Sequence, residues 1–322
     1  MLTFELRNFP LMKDIQAFDG RIKLYRIEEA QERLHKNHRV GLRITTATLC
    51  IDKNLPTALD TNEQSLVFHL CELLCFASRR GVTIAWPRHW GKRRDLIVRG
   101  GISSRGPIES PRDIELLLDK GLSKLVSDDF ENETKCGKGL RTFLGWQLEQ
   151  YLDMKFVRLW MAFEMLARAH CRKIYPSRDM TDLQLVQQFI KDLQLPGYDT
   201  MPIKDMYIVR GHIIHGNEEL TNQVMRRFMH LAQKRHRELF EADLMFNGLA
   251  RKITQHFPTD EKRAKLAKRE FEYIPMVPDY GSALLEPVLY LSRILEKVFL
   301  VLFDTKESWY FQKAEYFTVW SP

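Results

Sequence analysis

Two side chains in the segment Tyr207-Ile-Val-Arg-Gly-His-Ile-Ile-His-Gly216 have types and spacing suited to chemistry: Arg210 and, five positions on, His215. A histidine titrates near neutrality and can take or give a proton, while a planar guanidinium can hold two oxygens of an anion and neutralise its charge. The spacing alone is a weak signal, because it recurs at Arg33/His38 and Arg251/His256, so context has to choose. Arg33/His38 lies in the polar stretch Glu-Arg-Leu-His-Lys-Asn-His, and Arg251/His256 stands at a helix end just before Pro258. Both read as surface charges. Arg210 and His215 sit among apolar neighbours on a short helix, where a buried polar group needs a partner or a purpose.

Five positions on an α-helix are a rotation of about 140°, so Arg210 and His215 point in different directions and one copy of the pair is incomplete. The elements that must position them are helical. Phe156, Leu159, Trp160, Phe163, Leu166 and Ala167 recur at three- and four-residue steps and form one apolar stripe. Glu164 lies on that stripe and calls for a cationic partner such as Arg210. Thr181-Asp-Leu-Gln opens a second helix that Leu195-Pro-Gly-Tyr ends, and a third runs from Ile203 to His215, stopping at Gly216. A fourth is expected from Thr221 to about Thr254, closed by Phe257-Pro258. Short connections between these helices predict a bundle.

The first third has a different rhythm. Leu2 to Arg7, Ile22 to Ile27, Val40 to Ile51 and Val82 to Trp86 read as strands, and Leu66 to Ser78 as a helix between them. The expected organisation is an α+β N-terminal domain over 1–126, a polar linker over 127–139, an all-α helical bundle over 140–257, and a helical C-terminal extension over 258–322 packing on it. The chain is predominantly α.

Composition narrows the class. A chain of 322 residues with 44% hydrophobic content can fill a core, and a net charge of +7 favours an anionic partner without requiring one. The five cysteines show no paired spacing of a disulfide scaffold or zinc ribbon; Cys71, Cys75 and nearby His69 fall in an apolar run and read as buried side chains rather than metal ligands. A reducing, cytoplasmic setting is expected, with no cofactor and no metal. Leu284 to Phe303 carries Glu286, Pro287, Arg293, Glu296 and Lys297, so it reads as an amphipathic helix on protein rather than a membrane span. Lys135-Cys-Gly-Lys-Gly139 has the composition of a phosphate loop without its spacing.

The segment around Arg210 and His215, together with Leu159-Trp-Met-Ala-Phe-Glu-Met-Leu-Ala167, resembles the HEPN superfamily, particularly its ApeA-like branch, over about residues 140 to 255. The family motif is an Arg, a polar residue that is often Asn, three variable residues and a His, on a late helix of an all-α bundle. Gly211 holds the position often filled by Asn, and His212 is the neighbouring polar side chain. The resemblance implies a metal-independent endoribonuclease, in which the ribose 2′-hydroxyl attacks the adjacent phosphate. It assigns Arg210 to the phosphate and His215 to proton transfer; the residues themselves offer His212 as a helper and Glu164 as a partner that either orients Arg210 or simply locks the bundle. It also implies a homodimer whose two motifs line one cleft, a setting in prokaryotic antiviral defence or as a toxin, and a regulatory protein or phage-derived trigger. A non-catalytic HEPN module that binds RNA or protein is the alternative, in which Arg210 simply pairs with Glu164 and His215 ends its helix.

Two basic stretches are candidates for holding RNA. Trp86, Arg88, Trp90, Lys92, Arg93 and Arg94 alternate aromatic rings with cations, the combination that binds single strands by stacking and charge, although a solvated loop beside two core tryptophans fits as well. Arg226 and Arg227 belong to a second cationic run, which reads better as a solvated helix face than as an RNA contact.

Overall fold

Apolar residues at every second position put one face of an N-terminal antiparallel sheet into the core, and in its central strand Thr46 and Cys50 are buried as well. Its strands are β1 (Leu2–Arg7), β2 (Ile15–Ala17), β3 (Ile22–Arg26), β4 (Thr45–Ile51) and β5 (Thr83–Ile84), in the order β2-β3-β4-β1-β5. Phe4 faces Leu49, which faces Leu24 on the other side, and all three are buried. The computed structural model describes residues 1–30, 45–52, 54, 55, 59, 62–79, 81–84, 108, 110–195, 203–215, 224–226, 228, 280–306 and 308.

Helix α1 (Glu63–Ser78), capped by the Asn62 side chain, is buried along nearly its whole length. Cys71 and Cys75 are inside it; burial raises both thiols, Cys75 to about 12, so neither is a ready thiolate. His69 turns to the buried Glu72, with Nδ1 2.9 Å from its carboxylate. Helix α2 (Pro111–Leu125) closes the β2 edge, where Glu115 and Asp119 accept hydrogen bonds from the backbone N–H of Gln16 and Phe18.

The stretch expected to be a linker over 127–139 is instead helical: α3 (Asp128–Thr134) followed by the start of α4 (Cys136–Gly145). Ser127 caps α3 and acids fill its first turn, which suits the helix dipole. Lys135 takes the left-handed conformation, φ 56°, that turns one helix into the next. Glu131 then accepts from the N–H groups of Gly137 and Lys138 at 2.6 and 3.2 Å, so the glycine-rich segment presents its amides to its own chain. Gly139 is where α4 touches its neighbour, since a Cβ there would lie 2.7 Å from Leu166 Cδ2.

A 3-10 turn (Trp146–Leu148) leads to α5 (Leu152–Ile174), the central helix of the bundle, which buries Phe156, Leu159, Trp160, Phe163, Leu166 and Ala167. Helix α6 (Asp182–Leu193) starts at a Thr181/Gln184 capping box and stops at Gln194, whose φ of 48° ends it before the Pro-Gly pair is reached. Helix α7 (Ile203–His215) buries Ile203, Met206 and Val209 and packs on α5 and α6. Helix α8 (Tyr280–Leu302) packs on α4 and α5.

The amphipathic reading of the α8 segment needs correction, because Glu296 and Lys297 are buried. Glu296 meets the Arg79 guanidinium through two hydrogen bonds, and burial lowers Lys297 to about 8. Buried side chains form one continuous cluster from the sheet through α1 to the bundle. Among the described residues no helix is long and apolar enough to cross a membrane.

Candidate functional site

Arg210 is placed by aromatic packing. Trp160, buried on α5 and stacked on Phe156, meets Tyr207 of α7 at 6.0 Å between ring centroids, and the Arg210 guanidinium lies 6.0 Å from the Tyr207 ring one turn on. Arg210 Nη2 stands 3.8 Å from Glu164 Oε2. That distance gives Coulombic attraction without a hydrogen bond. Its Nε is enclosed with no hydrogen-bond partner, and one-fifth of the side chain is exposed. Arg210 therefore keeps donor capacity beside its carboxylate.

Glu164 belongs to a four-residue cluster. Arg168, one turn along α5, donates to Glu164 Oε1 at 3.3 Å and to Asp182 Oδ1, at the start of α6, at 2.7 Å. Burial, followed by hydrogen bonding with and repulsion from Asp182, raises the Glu164 carboxyl above its ordinary range; Arg210 and Arg168 pull it down without cancelling that rise. Two carboxyl groups and two guanidiniums thus hold three helices together at one point.

The cluster opens on a groove of about 770 Å3, bounded by the α3–α4 junction, the outer face of α5, the start of α6 and Arg210. Arg210 and Glu164 line it together, as their types suggested. His212 and His215 do not line it: His212 is half-buried farther along α7, and His215 is exposed at the last turn. A regular helix carries Arg210 and His215 to positions about 140° apart around its axis. Gly211 faces open space, with nothing within 4 Å of a Cβ built there.

Of the basic residues expected to hold RNA, Arg226 is exposed on a helical turn. Trp86, Arg88, Trp90, Lys92, Arg93, Arg94 and Arg227 lie outside the described residues, as do most of the expected fourth helix and Gly216.

Sequence reading missed Arg168 and Asp182. Arg168 was findable, since it follows Glu164 by four positions on the same helix, whereas Asp182 looked like an ordinary first-turn acid. A second polar cluster, at the far end of α5, is also new: Asp192 accepts from His170, Gln188 and Tyr175 at 2.9, 2.6 and 3.1 Å. Burial pushes its carboxyl up, but the hydrogen bonds outweigh that and hold it below its usual range. These groups satisfy one another and tie α5 to α6. Compared with known protein families, curated proteins and solved structures, the chain gives no match.

Proposed function

We propose that this protein is a metal-independent endoribonuclease of the HEPN type, working as a homodimer. The observation that carries the reading is Arg210: a guanidinium held on an aromatic ring at the edge of a cationic groove, with donors that Glu164 leaves unused. In this reading Arg210 binds the non-bridging oxygens of the scissile phosphate. The ribose 2′-oxygen forms a bond to phosphorus as the bond to the 5′-oxygen breaks, giving a cyclic phosphate and a 5′-hydroxyl. His215 takes the 2′-hydroxyl proton or supplies the proton that the leaving oxygen needs. Because α7 points Arg210 and His215 apart, the two roles are met by Arg210 of one chain and His215 of a second copy, both on exposed or half-exposed ground.

Gly211 favours a second reading, a non-catalytic module that binds RNA or protein, because it leaves bare the position beside Arg210 where the family motif often has Asn. An RNA with one ribose replaced by deoxyribose separates the two readings. The nuclease cuts the all-ribose strand and spares the step that lacks its 2′-hydroxyl. Binding with no cleavage supports the module, and cleavage straight through the deoxy step rejects the mechanism.

A further inference from the structure

The groove beside Arg210 is built as two parallel strips along α5. Glu164, Arg168 and Arg172 follow one another at four-residue steps, and Met161, Met165 and Ala169 do the same on the adjoining strip. Successive members of each strip are about 6 Å apart along the helix axis. Facing them across the groove are Lys135 and Lys138 from the α3–α4 junction.

The charges do not balance. Six Lys and Arg line the groove against three carboxylates. Glu133 is engaged by Lys173 at 2.5 Å, and Glu164 and Asp182 are engaged by Arg168 and Arg210. Lys135, Lys138 and Arg172 have no carboxylate partner among the described residues and give the groove its excess of positive charge. On the same groove Met161 is 52% exposed, a large apolar side chain standing open to solvent. A bare anion would use only the cations. A strand with phosphates along one edge and flat, apolar-faced bases along the other uses both strips, and methionine adapts to whichever base lies on it.

We infer that this groove is a track for single-stranded RNA, with Lys135, Lys138 and Arg172 on the phosphates flanking the one at Arg210 and Met161 and Met165 under the bases. The inference takes its ligand from the ribonuclease reading, but binding along the groove is a separate property from cutting. The residues act by position and charge, so they set affinity and site length rather than the chemical step.

The test is binding of a fluorescent single-stranded 2′-O-methyl oligoribonucleotide, which keeps phosphates and bases but cannot be cut through its 2′-oxygen. It is measured over a salt series for the full chain and for Lys138→Ala/Arg172→Ala. The double variant is expected to bind more weakly, with the slope of log affinity against log salt reduced by about 1.4, at about 0.7 per lost phosphate contact on a single strand. Met161→Ser is expected to weaken binding and leave the slope unchanged. Both changes are at exposed side chains, so thermal unfolding should match wild type.

Wild-type affinity and slope in the double variant, absence of binding by wild type, or equally tight competition by polyglutamate would each overturn the track. The two readings fail separately. Groove-dependent binding without cleavage of unmodified RNA ends the nuclease and keeps the track, whereas cleavage with unchanged binding in the double variant does the reverse.

Discussion

Arg210 and Glu164 face each other at 3.8 Å across the α5–α7 interface, an ion pair too long for a hydrogen bond. Arg168 holds the other oxygen of the same carboxyl group. Glu164 is thus hydrogen-bonded by one arginine and attracts a second at longer range, and in the nuclease reading the remaining donors of Arg210 meet the phosphate. A tight two-point bridge would occupy both Nη groups, whereas this pair is a single long contact through Nη2.

The raised Glu164 carboxyl makes stability depend on pH. Folded protein keeps a proton that an unfolded chain releases from about pH 4.3 upward, so this group's contribution to stability falls as pH rises from there through its folded value. Glu164→Gln removes that titration. Urea unfolding across this interval should show a smaller loss with rising pH in the variant than in wild type, and an unchanged or steeper loss would contradict the assignment.

Gly211 lies inside a helix with open space where a side chain would be. Gly211→Ala should therefore stabilise the protein by about 1 kcal/mol, and Gly211→Asn by about 0.3 kcal/mol. Chemical denaturation measures both. Asn also restores a polar group beside Arg210, so the nuclease reading expects faster RNA cleavage from that variant; slower cleavage by a stable Gly211→Asn protein counts against it.

Arg79 and Glu296 join α1 to α8 across 217 positions of sequence, and Glu296 is buried. Arg79→Ala takes a two-point cationic partner from a buried carboxylate and should cost about 3–5 kcal/mol. Unfolding of the variant at neutral pH reads this directly. A loss under about 1 kcal/mol would mean that the pair behaves as a surface ion pair.

Much of the bundle was legible because its signals are local. Thr181 and Gln184 announce α6, the stripe from Phe156 to Ala167 gives the buried face of α5, and the bounds of α7 follow from its apolar pattern. Other features depend on contacts that no local pattern carries. Asp182 belongs to the Glu164 cluster because α6 packs on α5, and the buried Glu296 meets Arg79 from 217 positions away. The 127–139 stretch was misread for a different reason: its polar residues are the cap and dipole-matched acids of a short helix, and its glycines permit close packing. Reading Ser127-Asp-Asp as a helix start would have found it. At the candidate site, residue types singled out Arg210, Glu164 and His215, but only the fold separates the first two, which meet in the groove, from His215 outside it.

The most direct test of the central claim is cleavage of end-labelled mixed RNA in excess EDTA by wild type, Arg210→Ala and His215→Ala, with folding and oligomeric state measured for all three. The ribonuclease account predicts cutting by wild type alone, leaving cyclic phosphate and 5′-hydroxyl ends. Equal cutting by a folded His215→Ala protein, or no cutting by a folded, dimeric wild type, would contradict it.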